Sequence, residues 1–252
     1  MTRARPEARG DRLGAAALAG RLVLGEAAGV ALTSRGRGAP APIGGLRRFV
    51  GGDAGGAVEL LALRLELPAL GLYAERLYAF APPASARPHL TLGLTRSGAP
   101  GSPGIAALVA DLAPRVDLAV NPAYVAQVYA PLERALAELE ATRAGDEALA
   151  LIAPRRGQAA ASPFALAARI VDGAGAGQGP VAACVEPFVD RWCALAEARF
   201  VDLFAPAPAQ RERRLRAALV EPRADPLFAE LPRLCEEAEA VVAAVAGGDG
   251  PA

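Results

Sequence analysis

Residues 61–67 read LALRLEL, and this stretch sets the expected fold. Its leucines recur at every second position, while Ala62, Arg64 and Glu66 stand between them. Side chains alternate between the two faces of a β-strand, so this spacing predicts a strand with one face in the core. His89–Thr95 repeats the pattern, with leucines on one face and small or polar residues on the other. The two stretches together predict a sheet that is half-buried.

More strands are expected around these two. They are residues 72–80, ended by Pro82-Pro83, then Ile105–Leu112 and Phe164–Val171. The largely apolar Ile105–Leu112 favours a strand that is covered on both faces. Residues 11–32 are rich in Ala and Leu and predict a helix, whereas the Gly-, Arg- and Pro-rich residues 34–45 predict a loop.

Helices dominate the second half of the chain. Asn121-Pro122 is a favourable helix start, and an apolar stripe behind it predicts a helix over 122–143. Further helices are expected at 180–200, 208–219 and 226–246, after a Gly/Ala loop at Asp172–Pro180 that lacks a phosphate-loop pattern. Strands first and helices last predict an α+β fold, a mainly antiparallel sheet with helices on its faces. We expect residues 1–45 to be a partly disordered tail with a helix, and 46–247 to be the folded domain.

Composition excludes several classes of function. The 252 residues carry 27 basic and 27 acidic side chains, so no overall charge attracts nucleic acid. Residues 12–32 come nearest to a membrane span, but Arg21 and Glu26 interrupt them. The single histidine and three cysteines without a C-x-x-C pair do not make the usual zinc sites. Cysteines in odd number predict buried free thiols in a reducing compartment, and hence a cytoplasmic protein.

No local motif names a reaction, so single residues carry the candidate chemistry. His89, after Pro88, is either a proton donor that titrates near neutrality or a surface imidazole at the rim of the sheet. Asp225-Pro226 has the residues of a helix start, and an N-cap position favours an ionised carboxylate. Asp111 and Asp117 are interpreted as turn or ion-pair residues. The arginine run at 211–216 is interpreted as a solvated helix face.

Four ordered blocks of sequence resemble one protein family. They are DLAPRVDL at 111–118 with NPAYV at 121–125, SPFALAARI at 162–170, GPVA at 179–182 with Trp192, and LPRLCEEA at 231–238. These blocks are similar to segments of the red chlorophyll catabolite reductases, which are relatives of the ferredoxin-dependent bilin reductases. Each block is weak alone, and their common order and spacing over residues 50–246 carry the resemblance.

The resemblance implies a fold, a reaction and a partner. The fold is an α/β/α sandwich with the substrate between the sheet and the C-terminal helices. The reaction is reduction of a double bond in a linear tetrapyrrole, with electrons taken singly from reduced ferredoxin and no bound cofactor or metal. A homodimer is the assembly that it allows. Arg169, Gly93 and Ser162 become candidate substrate-binding residues, and Arg169 could bind a propionate or form an internal ion pair.

The chain departs from the family at one of two acidic positions. The family's strand glutamate falls on Gly93, whereas its aspartate before the last helix falls on Asp225, our expected proton donor. His89 is the second catalytic candidate, although it lies about 13 Å along the strand from Gly93. Glycine supplies no proton. Two alternatives therefore stay open, a tetrapyrrole-binding protein without catalysis and a reductase of an unrelated small molecule.

Overall fold

An eight-stranded, wholly antiparallel sheet is the frame of the molecule. This computed structural model describes residues 12–35, 39–53, 56–98, 104–143, 149–152, 162–172, 179–200 and 208–247. The strands are β1 (Gly25–Thr33), β2 (Pro42–Asp53), β3 (Gly56–Leu67), β4 (Leu72–Phe80), β5 (His89–Ser97), β6 (Gly104–Ala113), β7 (Leu149–Ile152) and β8 (Leu166–Asp172). They lie in the order β1-β2-β3-β4-β5-β6-β8-β7. The alternating stretches 61–67 and His89–Thr95 fall in β3 and β5, as predicted.

Helices lie on both faces of the sheet, which confirms the expected α+β sandwich. One face carries α1 (Ala15–Arg21), α2 (Pro122–Val128), α3 (Ala130–Arg143) and α4 (Gly179–Ala194). The other face carries α5 (Pro208–Leu219), α6 (Pro226–Leu234) and α7 (Ala238–Ala246). In the part of the chain that the structure describes, no helix is long and apolar enough to cross a membrane.

The two helical layers cover different parts of the sheet. The α1–α4 layer packs on side chains from β2 through β8, with Trp192 fully buried and its Nε1 donating to the Pro88 carbonyl at 2.8 Å. The apolar contacts of the α5–α7 layer lie on β1–β4, through residues such as Leu61, Leu63 and Tyr78, and α5 also covers His89 at the start of β5. On this second face, the rest of β5 and β6, β8 and β7 are left without a helix among the described residues.

Several expected boundaries were wrong. Residues 11–32 form a short helix followed by β1, because pairing with β2 outweighs the helix preference of an Ala-rich stretch. Strand pairing also begins at Pro42, inside the expected 34–45 loop, so residues on both sides of position 45 belong to one sheet. The short edge strand β7 was not expected. Residues 1–10 and most of the Asp172–Pro180 loop lie outside the described residues.

Two expected helices are interrupted. The 122–143 helix begins at Pro122 as predicted but breaks at Tyr129, and the Asn121 side chain donates to the Asp117 carbonyl instead of capping it. The 226–246 helix breaks at Cys235, where the backbone is extended and bridges to Ser34 at the end of β1. At Cys235 this tertiary contact replaces the local helical continuation. The 180–200 helix ends early, at Ala194.

Candidate functional site

The uncovered part of the second sheet face is the candidate site. We call it the open face, and it consists of side chains from β5, β6, β8 and β7 that point toward the side of the C-terminal helices: Thr91, Gly93, Thr95, Ile105, Ala107, Val109, Ala150, Ile152, Ala167, Arg169 and Val171. Ile105, Val109 and Ile152 are 48%, 45% and 50% exposed. Four strands at the usual spacing make this surface roughly 14 Å wide. An apolar surface of this kind favours an interaction.

This exposure corrects the prediction that Ile105–Leu112 is covered on both faces. In β6, buried and exposed residues alternate from Gly104 to Val109, so only the face toward α1–α4 is packed. The small and apolar side chains of the open face make a flat floor with Gly93 at its border toward α6. A flat, conjugated ligand fits such a surface better than a globular one.

Arg169 stands on this floor as an exposed cation. It lies on β8 opposite Ala107, which in turn pairs with Thr95 of β5. Among the described residues it has no hydrogen bond or ion pair, so the alternative of an internal ion pair finds no partner there. Its guanidinium is available for bidentate contact with a carboxylate.

Asp225 lies at the border of the open face, at the start of α6. Its Oδ1 accepts from the Leu227 backbone N–H at 3.0 Å, which confirms the N-cap interpretation. The same carboxylate forms a two-point ion pair with Arg76 of β4, in which Arg76 Nη2 lies 2.9 Å from Oδ1 and Nε bonds to Oδ2. Arg76 is the cross-strand partner of Gly93. The structure therefore brings Gly93 and Asp225 together, with Arg76 between them.

His89 is fully buried beneath α5 rather than exposed at a rim. Its Nδ1 accepts from the Ala81 backbone N–H at 3.1 Å, so the ring proton is on Nε2, which lies 3.0 Å from Glu212 Oε2. Burial lowers the pKa of His89, although Glu212 opposes this. Glu212 also pairs with Arg115 at 2.9 Å. Through these contacts His89 holds α5 on the sheet, and it would reach a substrate only if α5 moved.

Ser162 also contacts the site indirectly. It is buried, and both its backbone N–H, at 2.8 Å, and its hydroxyl donate to the carboxylate of Asp111 on β6. Asp111 pairs with Thr91 of the open face and is itself 3% exposed. Burial raises the pKa of Asp111 to about 6, even though the Ser162 hydrogen bonds oppose it. A carboxyl group with this pKa holds a proton for part of the time near neutral pH.

Asp111 and Arg76 are functional candidates that the sequence reasoning did not single out. Asp111 stands in the first block of the family resemblance, which was a usable signal, but its position beside Pro114-Arg115 favoured a turn or ion-pair role. Arg76 had no signal beyond being a charged residue within an apolar strand. Both residues have partners that are distant in sequence, Ser162 at 51 residues and Asp225 at 149.

A separate cavity of about 430 Å³ lies on the opposite face of the sheet. It is bounded by α1 and by β2–β4, and its charged lining includes Arg47, Arg64, Glu66 and Glu75. Glu75 there accepts from the backbone N–H of Leu13 at 3.1 Å, and Arg64 pairs with Glu66 at 3.0 Å. Of the candidate residues named above, only Arg76 contributes to its lining. No cluster of metal-ligating residues occurs among the described residues either.

The architecture is that of an α/β/α sandwich built on an open antiparallel sheet. The chain matches phytochromobilin synthase from tomato, solved in complex with biliverdin, with a TM-score of 0.64 over 93% of this chain and 80% of that chain. The sequence identity is 14%, so this likeness establishes the fold. No protein-family model matches the sequence, and no curated protein matches it significantly.

Proposed function

We propose that this protein reduces a linear tetrapyrrole, a red chlorophyll catabolite or a bilin, with ferredoxin as the electron donor. The open face beside α6 carries the proposal, because a chain of the same fold is known with biliverdin bound. The four blocks of sequence resemblance support it independently. No cofactor is required by this proposal, since the electrons come from ferredoxin.

Substrate binding is assigned to the floor of the open face. Val109 and Ala167 are adjacent residues of β6 and β8 that would contact the conjugated chain. Arg169 would bind a propionate at the far side of the floor from Asp225. Gly93 adds no side chain, and the Arg76 side chain packs against it at the border of the floor.

Proton supply is assigned to Asp111 and Asp225. Reduction of one double bond consumes two electrons, from two ferredoxins, and two protons. Two carboxyl groups in different surroundings commonly divide acid and base roles. The pKa of about 6 makes Asp111 the proton-bearing group, whereas Asp225 is held in place by its ion pair with Arg76. Asp225 would then accept a hydrogen bond from a pyrrole N–H and relay the second proton from solvent to the substrate, with His89 as a buried reserve behind α5.

Electron delivery is assigned to the outer side of α5. Arg213 and Arg214 are exposed on this helix, and Arg223 is exposed in the turn between α5 and α6, two positions from Asp225. None of the three has an ion-pair partner among the described residues. A cationic patch attracts an acidic protein and accelerates its encounter. Ferredoxin docked on this patch would lie next to the border of the open face. Cys184, Cys193 and Cys235 form no disulfide, which supports a reducing, cytoplasmic setting.

The test is turnover with defined reagents. Purified protein is mixed with reduced ferredoxin and either biliverdin or red chlorophyll catabolite, and the absorption spectrum is followed under anaerobic conditions. A shifted product spectrum is expected, with Arg169→Gln raising KM and Arg134→Gln, on the exposed side of α3, leaving it unchanged. The absence of a spectral change with every linear tetrapyrrole would refute the catalytic proposal.

A second candidate is a tetrapyrrole-binding protein without catalysis. Gly93 favours it, because the strand acid of the related reductases has no counterpart at this position. Tight binding of biliverdin, measured by quenching of Trp192 fluorescence, together with no turnover would select this candidate. A Gly93→Glu variant that gains activity would support it further.

A further inference from the structure

We infer that Arg76 is the positioning residue of this site, and that position 93 is a glycine so that Arg76 can lie across β5 and hold Asp225. This inference rests on the proposed function, because it assigns a role to Asp225 in tetrapyrrole binding and reduction. It concerns residues in which this chain differs from the family pattern.

Every N–H of the Arg76 guanidinium has an acceptor. Nε and Nη2 donate to the two oxygens of Asp225, and Nη2 also donates to Thr95 Oγ1 at 3.1 Å. Nη1 donates to the carbonyls of Glu75 and Leu94 at 2.8 and 3.0 Å. A guanidinium fixed in this way has one orientation, and Asp225 is the anion that its buried charge requires. The Arg76 side chain is only 11% exposed.

The path of this side chain crosses Gly93. A Cβ atom at position 93 would lie 3.2 Å from Arg76 Cδ, 3.3 Å from Nε and 3.5 Å from Cζ. The contacts with Cδ and Nε are tighter than ordinary van der Waals distances, so a methyl group at position 93 requires the Arg76 side chain to shift by a few tenths of an ångström. A longer, acidic side chain at position 93 would likewise require Arg76 to leave its present place.

Asp225 is consequently fixed from two sides. Arg76 holds both oxygens from the sheet, and the N–H of Leu227 holds Oδ1 from α6. The carboxylate that stands nearest to the missing strand acid is thereby kept at the border of the open face. Fixing a reacting group in advance removes the cost of orienting it during the reaction, and a misplacement of about 1 Å can cost about 100-fold in rate.

The inference is tested with a double-mutant cycle of Gly93→Ala and Arg76→Gln. The readouts are kcat and KM with biliverdin and reduced ferredoxin, the biliverdin Kd, and the urea unfolding free energy. Arg76→Gln should lower kcat about 30- to 100-fold while changing the biliverdin Kd less than about fivefold. Arg76→Lys should recover part of the rate, because it keeps a charge beside Asp225. Arg48→Met, which removes an exposed ion pair with Glu59 on β3, is the matched control and should leave kcat unchanged.

The decisive result is the coupling between the two positions. Gly93→Ala alone should lower kcat about tenfold by displacing Arg76, but in the Arg76→Gln background it should have no further effect. Additive effects, or an unchanged kcat in Arg76→Gln, would overturn the inference. A wild-type protein that binds biliverdin without turnover would refute the proposed reductase instead. The cycle is then scored on the biliverdin Kd, where additive effects again count against the inference, and an absence of binding overturns both.

Discussion

Replacement of Asp111 by Asn should change how the stability of this protein depends on pH. The Asp111 carboxyl is buried against β6 and accepts hydrogen bonds from Ser162, and its pKa rises from 3.8 to about 6 on folding. The folded protein thus binds this proton more tightly than the unfolded chain does. Below pH 3.8 the group is protonated in both states and has no effect. Above about pH 6 it is ionised in both states, and the folded state bears the whole cost of the buried charge.

The size of this cost follows from the two pKa values. A rise from 3.8 to about 6 corresponds to about 3 kcal/mol, at 1.36 kcal/mol for each pKa unit. Asp111 should therefore lower the unfolding free energy by about 3 kcal/mol as the pH rises from 4 to 7. Asn has the same shape and no charge. In the variant, the amide N–H₂ faces one Ser162 donor, so that hydrogen bond is lost. The resulting loss of stability is the same at every pH.

The assay is urea unfolding of both proteins at pH values from 4 to 8, monitored by circular dichroism. The unfolding free energy of Asp111→Asn, minus that of the wild type, should rise by about 3 kcal/mol between pH 4 and 7. His89 works in the opposite direction, since its lowered pKa makes the protein lose stability as the pH falls below about 6.5, but it is common to both proteins. Asp117→Asn, an exposed aspartate six residues away, is the control and should give a flat difference. If the unfolding free energy of Asp111→Asn also differs from that of the wild type by the same amount at every pH, the raised pKa of Asp111 is refuted.

Further outcomes follow from the same structure. Val109→Trp should fill the open face and raise the biliverdin Kd at least about tenfold. Val120→Trp, at a similarly exposed position away from the open face, should leave the Kd unchanged. If both variants raise the Kd equally, the open face is not the binding surface. Glu212→Gln should lower the unfolding free energy in urea by about 3 kcal/mol, because it leaves the buried Arg115 without its anion. A loss below about 1 kcal/mol would contradict a stabilising role for this ion pair. The double variant Arg213→Glu, Arg214→Glu should slow reduction by ferredoxin in stopped-flow measurements at low salt without altering the biliverdin Kd. If the wild-type reduction rate does not depend on salt, the cationic patch is not the ferredoxin-docking surface.

The sheet was predictable where its signal is local. Alternation along 61–67 and His89–Thr95 reports directly which side chains share a face, because successive residues point to opposite sides. The same alternation does not report whether a helix covers that face. In β6, Ile105 and Val109 were therefore expected to be buried, although α5–α7 reach no further across the sheet than His89 at the start of β5. The open face depends on where the C-terminal helices stop, which is a tertiary property.

The candidate site was predictable only at Asp225. Asp followed by Pro is a local helix-start signal, and the N-cap formed as expected. The ion pair with Arg76 joins residues 149 apart, and no local pattern announces such a contact. The pKa of Asp111 likewise depends on burial and on Ser162 rather than on sequence neighbours. Sequence reasoning found Asp225 but not its partner Arg76, and it interpreted Asp111 as a turn or ion-pair residue.

The glycine at position 93 consequently bears less on catalysis than it did from sequence alone. The strand acid of the family that the chain resembles has no counterpart here, but Arg76 lies across Gly93 and fixes Asp225, while Asp111 supplies a carboxyl group whose pKa of about 6 suits proton transfer. The choice between a reductase and a binding protein therefore turns on Asp111 more than on Gly93. If the protein is a reductase, Asp111→Asn should abolish most turnover while biliverdin still binds. Unchanged turnover in that variant would return proton supply to Asp225 and weaken the case that these two carboxyl groups divide the work.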